Sequence, residues 1–78
     1  MREKKNCVVI TFHTTAAAMG MEAACRAAGI PGRLIPAPRS LTSDCGMAFR
    51  TEPDYQARLE ALSRQEQLET DQFQILSL

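Results

Sequence analysis

The clearest hydrophobic pattern in the chain is an apolar run near its beginning, followed by an alanine-rich segment. Residues 7–12 read Cys-Val-Val-Ile-Thr-Phe, and a run of this length with so many β-branched residues predicts a central strand. Residues 16–28 are rich in alanine and contain no proline, which predicts a helix. Thr14 and Thr15 are both candidates for the N-cap of this helix, and Gly29 suits its C-terminal end.

The second half of the chain combines short strand patterns with one amphipathic helix. Residues 33–35 and 47–50 predict short strands, and Pro36 favours an edge position for the first of them. Thr51 is a candidate N-cap for a second helix, which we expect to reach about Gln67. The apolar stripe of this helix consists of Tyr55, Leu59 and Leu62.

A last strand pattern completes the order β-α-β-β-α-β. Polar and apolar residues alternate over residues 72–75, as in a half-buried strand. In a chain of 78 residues this order predicts an α+β fold, the ferredoxin-like βαββαβ sandwich, with a four-stranded antiparallel sheet and two helices on one face. The length leaves room for a single domain over residues 1–78.

The charge balance narrows the classes of partner. Nine basic and nine acidic side chains cancel, so the chain lacks the basic excess typical of nucleic-acid-binding proteins. The charged residues 2–5 are not followed by the apolar region of a signal peptide, and no apolar run is long enough to span a bilayer. We therefore expect a cytoplasmic protein that binds neither nucleic acid nor membrane.

The cysteines are few and scattered. Cys7, Cys25 and Cys45 form an odd set without a CxxC pair, which indicates reduced thiols rather than a disulfide framework. With one histidine besides, the ligand spacing of a metal site is missing, and we expect neither a metal nor a cofactor. Cys7 in a strand and Cys25 in an alanine-rich helix are expected to pack in the interior.

Cys45 is the best candidate for chemistry because of where the predicted topology places it. The loop between the second and third strands should lie at the same end of the sheet as His13 and the start of the first helix. Helix N–H groups and dipole favour an anion there, and the thiolate is the nucleophilic form of cysteine. Arg39 would add positive charge, His13 would exchange protons, and Gly46 would let the backbone approach the sulfur. Arg33 and Arg50 should lie at the opposite end.

Less specific interpretations remain open. A lone loop cysteine is often merely tolerated, and His13 is equally suited to a turn or cap. A second hypothesis is a non-catalytic interaction module, or a homodimer, that uses the sheet face away from the helices. That face would present Cys7, Val9, Thr11 and Ala48. A third is a regulatory thiol sensor, which would need a resolving partner cysteine.

The loop itself resembles a known family. Residues 29–39 read Gly-Ile-Pro-Gly-Arg-Leu-Ile-Pro-Ala-Pro-Arg, followed by Ser40 and then by Ser-Asp-Cys-Gly-Met-Ala at residues 43–48. The Pro-x-Pro-Arg and Ser-x-Cys-Gly combination is similar to that of the small bacterial domains called selenium/sulfur carrier-like proteins. The likeness extends over nearly the whole chain, from the opening strand to the closing one.

The resemblance implies a function for the cysteine. In this family the cysteine is thought to hold sulfur or selenium transiently, as a persulfide or selenopersulfide. The family's cysteine, arginine and glycine match Cys45, Arg39 and Gly46, whereas the role of His13 rests on the topology argument and not on the resemblance. The implied partners are donor and acceptor proteins, such as a cysteine desulfurase or a sulfurtransferase-like carrier. We expect a covalent carrier rather than a turnover enzyme.

Overall fold

The computed structural model describes residues 5–41 and 44–78, which form one sheet with two α-helices. Its elements are β1 (Asn6–Thr11), α1 (Thr15–Ala28), β2 (Arg33–Pro36), β3 (Met47–Thr51), a 3-10 turn (Pro53–Tyr55), α2 (Gln56–Gln65) and β4 (Phe73–Ser77). The four strands are arranged in the order β2-β3-β1-β4, and each neighbouring pair is antiparallel. The predicted α+β class, with a four-stranded antiparallel sheet and two helices, is confirmed, and β2 is an edge strand.

The main core lies between the helices and one face of the sheet. Its buried members come from β1, α1, β3, α2 and the chain next to them: Val8, Ile10, Phe12, Ala18, Met21, Cys25, Ile30, Phe49 and Leu59. The predicted stripe of the second helix faces this core: Leu59 and Leu62 lie in α2, Tyr55 ends the 3-10 turn before it, and all three belong to the cluster or pack against it. Burial of these apolar side chains is the main stabilising contribution to a domain of this size.

Both ends of α1 are fixed by the residues that the sequence indicated. Thr14 is the N-cap, and its Oγ1 accepts a hydrogen bond from the N–H of Ala17 at 3.1 Å. Gly29 ends the helix in the left-handed conformation (φ 74°), and the N–H of Ile30 donates to the carbonyl of Cys25. No helix in the described part of the chain is long and apolar enough to cross a membrane.

The predicted N-cap of the second helix is wrong. Thr51 is the last residue of β3, where it pairs with Val8, and its hydroxyl donates to the carbonyl of Pro31. The helical region begins with the 3-10 turn after Glu52. Threonine suits a strand as well as a cap, and here pairing with the central strand decides between the two.

The second face of the sheet is covered, contrary to the prediction of an open surface. Cys7, Val9, Thr11 and Ala48 are all buried. The side chains that pack around Cys7, Val9 and Ala48 are those of Ile35, Ala37, Leu41 and Leu76. Ala37 and Leu41 belong to the connection between β2 and β3, which therefore folds back over the sheet. The four residues predicted to form a docking face are not available at the surface.

Candidate functional site

Two loops meet at one end of the sheet, which we call the Cys45 end. Thr11, at the end of β1, pairs with Ala48, and Pro36, at the end of β2, pairs with Met47. His13 follows β1 directly, and Cys45 directly precedes β3. Strand pairing thus brings the β2–β3 connection to the start of α1.

Cys45 sits at the boundary between the core and solvent. Its side chain is half-buried and packs against the helix-side core. The Sγ atom lies 3.6 Å from the carbonyl oxygen of Met47, which accepts the thiol hydrogen. The other two thiols, Cys7 and Cys25, are buried, so Cys45 is the cysteine nearest to solvent.

Gly46 is required for its backbone conformation. Its φ is 74°, in the left-handed region that side-chain-bearing residues rarely adopt. The carbonyl of Gly46 accepts a hydrogen bond from the N–H of Ala37 at 3.0 Å, which closes the base of the loop. A Cβ atom added here would meet nothing within 4 Å. The left-handed backbone is therefore what requires glycine here, and the approach of the backbone to the Cys45 sulfur stays a prediction.

His13 links two loops through carboxylates. Its Nδ1 lies 2.7 Å from Oδ2 of Asp44, the residue before Cys45, and its Nε2 lies 3.6 Å from Oδ1 of Asp71. The hydrogen bond to Asp44 and the negative charge of Asp71 raise the pKa of His13 above its ordinary value of 6.5. These contacts stabilise the imidazolium form relative to an ordinary histidine, and they connect the Cys45 loop with the chain that leads into β4.

Asp71 is in turn anchored to the central strand. Its backbone N–H donates to the carbonyl of Thr11 at 2.8 Å, and the Thr11 hydroxyl donates to its Oδ2 at 3.4 Å. The sequence interpretation missed both carboxylates. For Asp44 a signal was present, because it adjoins Cys45 in a loop expected beside His13. For Asp71 no local pattern indicated the contact, which depends on the path of the chain between α2 and β4.

Arg39 lies at the exposed tip of the connection. The N–H of Leu41 donates to the carbonyl of Pro38, so the chain turns tightly around Arg39. Arg39 makes no hydrogen bond or ion pair with the part of the chain that the structure describes, and its predicted action on the sulfur stays a prediction. Thr42 and Ser43, which belong to the same motif, lie outside the described residues.

The arrangement suits thiol chemistry at the surface. Within residues 5–41 and 44–78, no three side chains of the histidine, cysteine, aspartate and glutamate types are grouped as metal ligands would be. The site consists of a half-buried sulfur, a loop base that requires glycine, and a histidine that contacts the residue before the cysteine. These features can hold and present a small group on sulfur.

Comparison with known proteins identifies the family. A family model described as "Putative Se/S carrier protein-like" matches residues 7–74, which include His13, Arg39, Cys45 and Gly46. No curated protein and no solved structure matched the chain. The match covers most of the sequence, and its range includes the Pro-x-Pro-Arg and Cys-Gly segments. The chain therefore belongs to the Se/S carrier protein-like family.

Proposed function

We propose that the protein carries a sulfur or selenium atom on Cys45 and passes it to a partner protein. The observation that carries this proposal is the contrast among the three thiols. Cys7 and Cys25 are buried in the two cores, whereas Cys45 is half-buried at the edge of the helix-side core and lies within the residues that the family model matches. Only Cys45 is placed to meet a thiol of another protein without unfolding.

The proposed reaction is an exchange between thiols and persulfides. The Cys45 thiolate attacks the terminal sulfur of a persulfide on the donor, a new S–S bond forms, and the donor's own S–S bond breaks. The electron pair leaves with the donor cysteine, which is released as a thiolate. An acceptor thiolate then attacks the terminal sulfur on Cys45 in the same way. Each step conserves electrons, so no external oxidant or reductant is needed.

His13 has a positioning role in this proposal. The pairing of His13 with Asp44 fixes the position of the residue before Cys45. The contact of His13 with Asp71 connects Asp44 to the sheet. Arg39, exposed at the loop tip, is available to attract the negative charge of a persulfide or of a partner surface. Neither residue needs to act as a base, because a carrier must not hydrolyse its cargo.

The partners follow from the same chemistry. The donor would be a protein that forms a persulfide, such as a cysteine desulfurase, and the acceptor a sulfurtransferase-like carrier or a selenium-metabolising enzyme. We also propose that the chain has the ferredoxin-like arrangement predicted above. The element order and the central positions of β1 and β3 support that assignment.

Carriage can be tested by following one atom in and out of the protein. The reduced protein is loaded with a cysteine desulfurase and free cysteine, separated from both, and mixed with a low-molecular-weight thiol acceptor. Intact mass should show one added sulfur that is lost on adding the acceptor. Cys25→Ser is the matched control, because it removes a thiol and leaves Cys45 in place.

The outcomes separate carriage from incidental reactivity. Loading and release that persist in Cys25→Ser and vanish in Cys45→Ser support the proposal. If sulfur is never acquired, or is acquired and cannot be passed on, the carrier function is wrong. The same experiment with a selenocysteine donor decides whether selenium is an equivalent cargo.

A further inference from the structure

A second site is present at the end of the sheet opposite Cys45. A groove of about 420 Å³ opens there, and its charged lining side chains are Lys5, Arg33, Arg50 and Glu52. This volume falls within the range of about 300–1,000 Å³ that is usual for small-molecule sites. The lining has an excess of two positive charges, in a chain whose net charge is zero.

In the absence of a ligand, the positions of the two arginines are electrostatically unfavourable. Arg33 on β2 and Arg50 on β3 are direct partners in the sheet register, so their side chains leave the same face side by side. Like charges in directly opposite positions destabilise a strand pair. Among the residues that the structure describes, neither arginine is in an ion pair. An anion between them would remove the repulsion.

The thiol of Cys7 orients Arg50 toward the groove. The Nε of Arg50 donates to the Sγ of Cys7 at 3.3 Å, and the thiol in turn donates to the carbonyl of Lys5 at 3.5 Å. With Nε engaged, the two terminal nitrogens of Arg50 remain for a ligand. A guanidinium fixed in this way is suited to bidentate recognition of an oxyanion.

The opposite wall of the groove is a close backbone crossing at Gly32. Its φ is 146°, and a Cβ atom there would lie 2.6 Å from both the carbonyl oxygen of Arg50 and the ring of Phe49. Glycine therefore lets the chain before β2 pass directly against β3. Gly32 is itself one of the residues that line the groove.

We propose that this groove binds a small organic molecule through a dianionic oxyanion head group such as phosphate, held between Arg33 and Arg50. The groove has three basic side chains and one acidic side chain, so its charge matches a dianion better than a ligand with a single carboxylate. The groove is larger than an inorganic ion needs, which leaves room for an organic portion. The site and the Cys45 end lie at opposite ends of β1, whose six residues span about 17 Å.

Binding can be followed by backbone NMR of the ¹⁵N-labelled protein. The probes are phosphoglycolate and inorganic phosphate, with sodium chloride at matched ionic strength as the control. We expect saturable shifts for both phosphates, centred on Gly32, Arg33 and Arg50, with tighter binding of phosphoglycolate. Chloride should give only weak shifts without saturation.

Two variants and a matched control test the role of the arginines. Arg33→Gln and Arg50→Gln should each weaken phosphoglycolate binding by about tenfold or more, because each removes a charged donor. Arg64→Gln, on the exposed part of α2, should leave binding unchanged. Without ligand, Arg33→Gln should be at least as stable as the wild type, since it relieves the repulsion and removes no hydrogen bond among residues 5–41 and 44–78.

Several outcomes would overturn the proposal. Shifts that depend only on ionic strength, or that spread evenly over basic residues, would show no site. Equal loss of binding in Arg64→Gln and Arg33→Gln would show only a general charge effect. If Arg50→Gln fails to fold, Arg33→Gln decides, because the exposed Arg33 side chain makes no hydrogen bond or ion pair with the part of the chain that the structure describes.

Discussion

At the scale of single residues, the conformation of Gly46 is the strictest requirement of the site. We predict that Gly46→Ala lowers the free energy of unfolding by about 1–2 kcal/mol, the usual effect of forcing a side chain into the left-handed region. Urea unfolding measures this. Since no atom lies within 4 Å of the added Cβ, the loss comes from the backbone alone.

Gly29→Ala is the matched control, because Gly29 has the same φ of 74° and equally open surroundings. Both variants should lose similar stability, whereas only Gly46→Ala should also slow sulfur loading. If Gly46→Ala were as stable as the wild type, the left-handed conformation would not be what requires glycine at this position. If both variants loaded sulfur equally slowly, the defect in Gly46→Ala could not be attributed to its position beside Cys45.

His13 gives a residue-scale prediction that depends on pH. Its pKa in the folded protein lies above 6.5, and the chain has one histidine, so a single NMR titration reports it. Asp44→Asn should lower this pKa more than Asp71→Asn, because the hydrogen bond to Asp44 is the larger cause. A His13 pKa at or below 6.5 in the wild type would contradict the ion-paired geometry.

The raised pKa of His13 also makes the free energy of unfolding depend on pH. A raised folded-state pKa means that the folded protein binds the proton more tightly than the unfolded chain does. The contribution of His13 is therefore fully present below pH 6.5 and is lost as pH rises through the folded-state pKa. His13→Asn should be destabilised relative to the wild type at low pH and should approach it at higher pH.

At the scale of elements, the β2–β3 connection both carries Cys45 and covers the second face of the sheet. We predict that Leu59→Ala, in the main core, lowers the free energy of unfolding by about 2–5 kcal/mol. Leu41→Ala should lower it by about half as much, because Leu41 is only half-buried against Val9 and its neighbours. Chemical denaturation of both variants measures the difference, and no loss in Leu41→Ala would contradict a packed connection.

The elements differ in how well the sequence predicts them. The strand at residues 7–12 and the helix at 16–28 were predicted because each has an unbroken pattern and a recognisable end at Thr14 or Gly29. Thr51 was assigned to the wrong element because its residue type fits two local structures. The fold of the connection over Val9 could not be predicted, since it depends on long-range packing and not on periodicity.

At the scale of the whole molecule, the length of the sheet separates the Cys45 end from the groove lined by Arg33 and Arg50. The Cys45 end could be located from sequence, because strand direction alone brings the β2–β3 connection beside His13. The contact between His13 and Asp71 could not be located from sequence, since the two residues are far apart in the chain. Arg33 and Arg50 were placed at the other end from strand direction, but their direct pairing required the register.

The distribution of thiols over the whole molecule gives a further prediction. Cys7 and Cys25 are only 5% and 1% exposed, and burial raises the pKa of Cys25 to about 11. Alkylation near neutral pH should therefore modify Cys45 first, and the other two only as fast as the domain opens. Mass spectrometry of partially labelled protein measures the order. Equal rates at all three cysteines would contradict the burial pattern.

The most direct test of the central claim is the position of the loaded sulfur. The protein is loaded by a cysteine desulfurase, trapped with an alkylating reagent, digested and analysed by peptide mass spectrometry. The account predicts a trapped persulfide on the peptide that contains Cys45. In Cys45→Ser it predicts no persulfide on any cysteine. A persulfide on Cys7 or Cys25 at comparable occupancy, or loading that survives in Cys45→Ser, would contradict it.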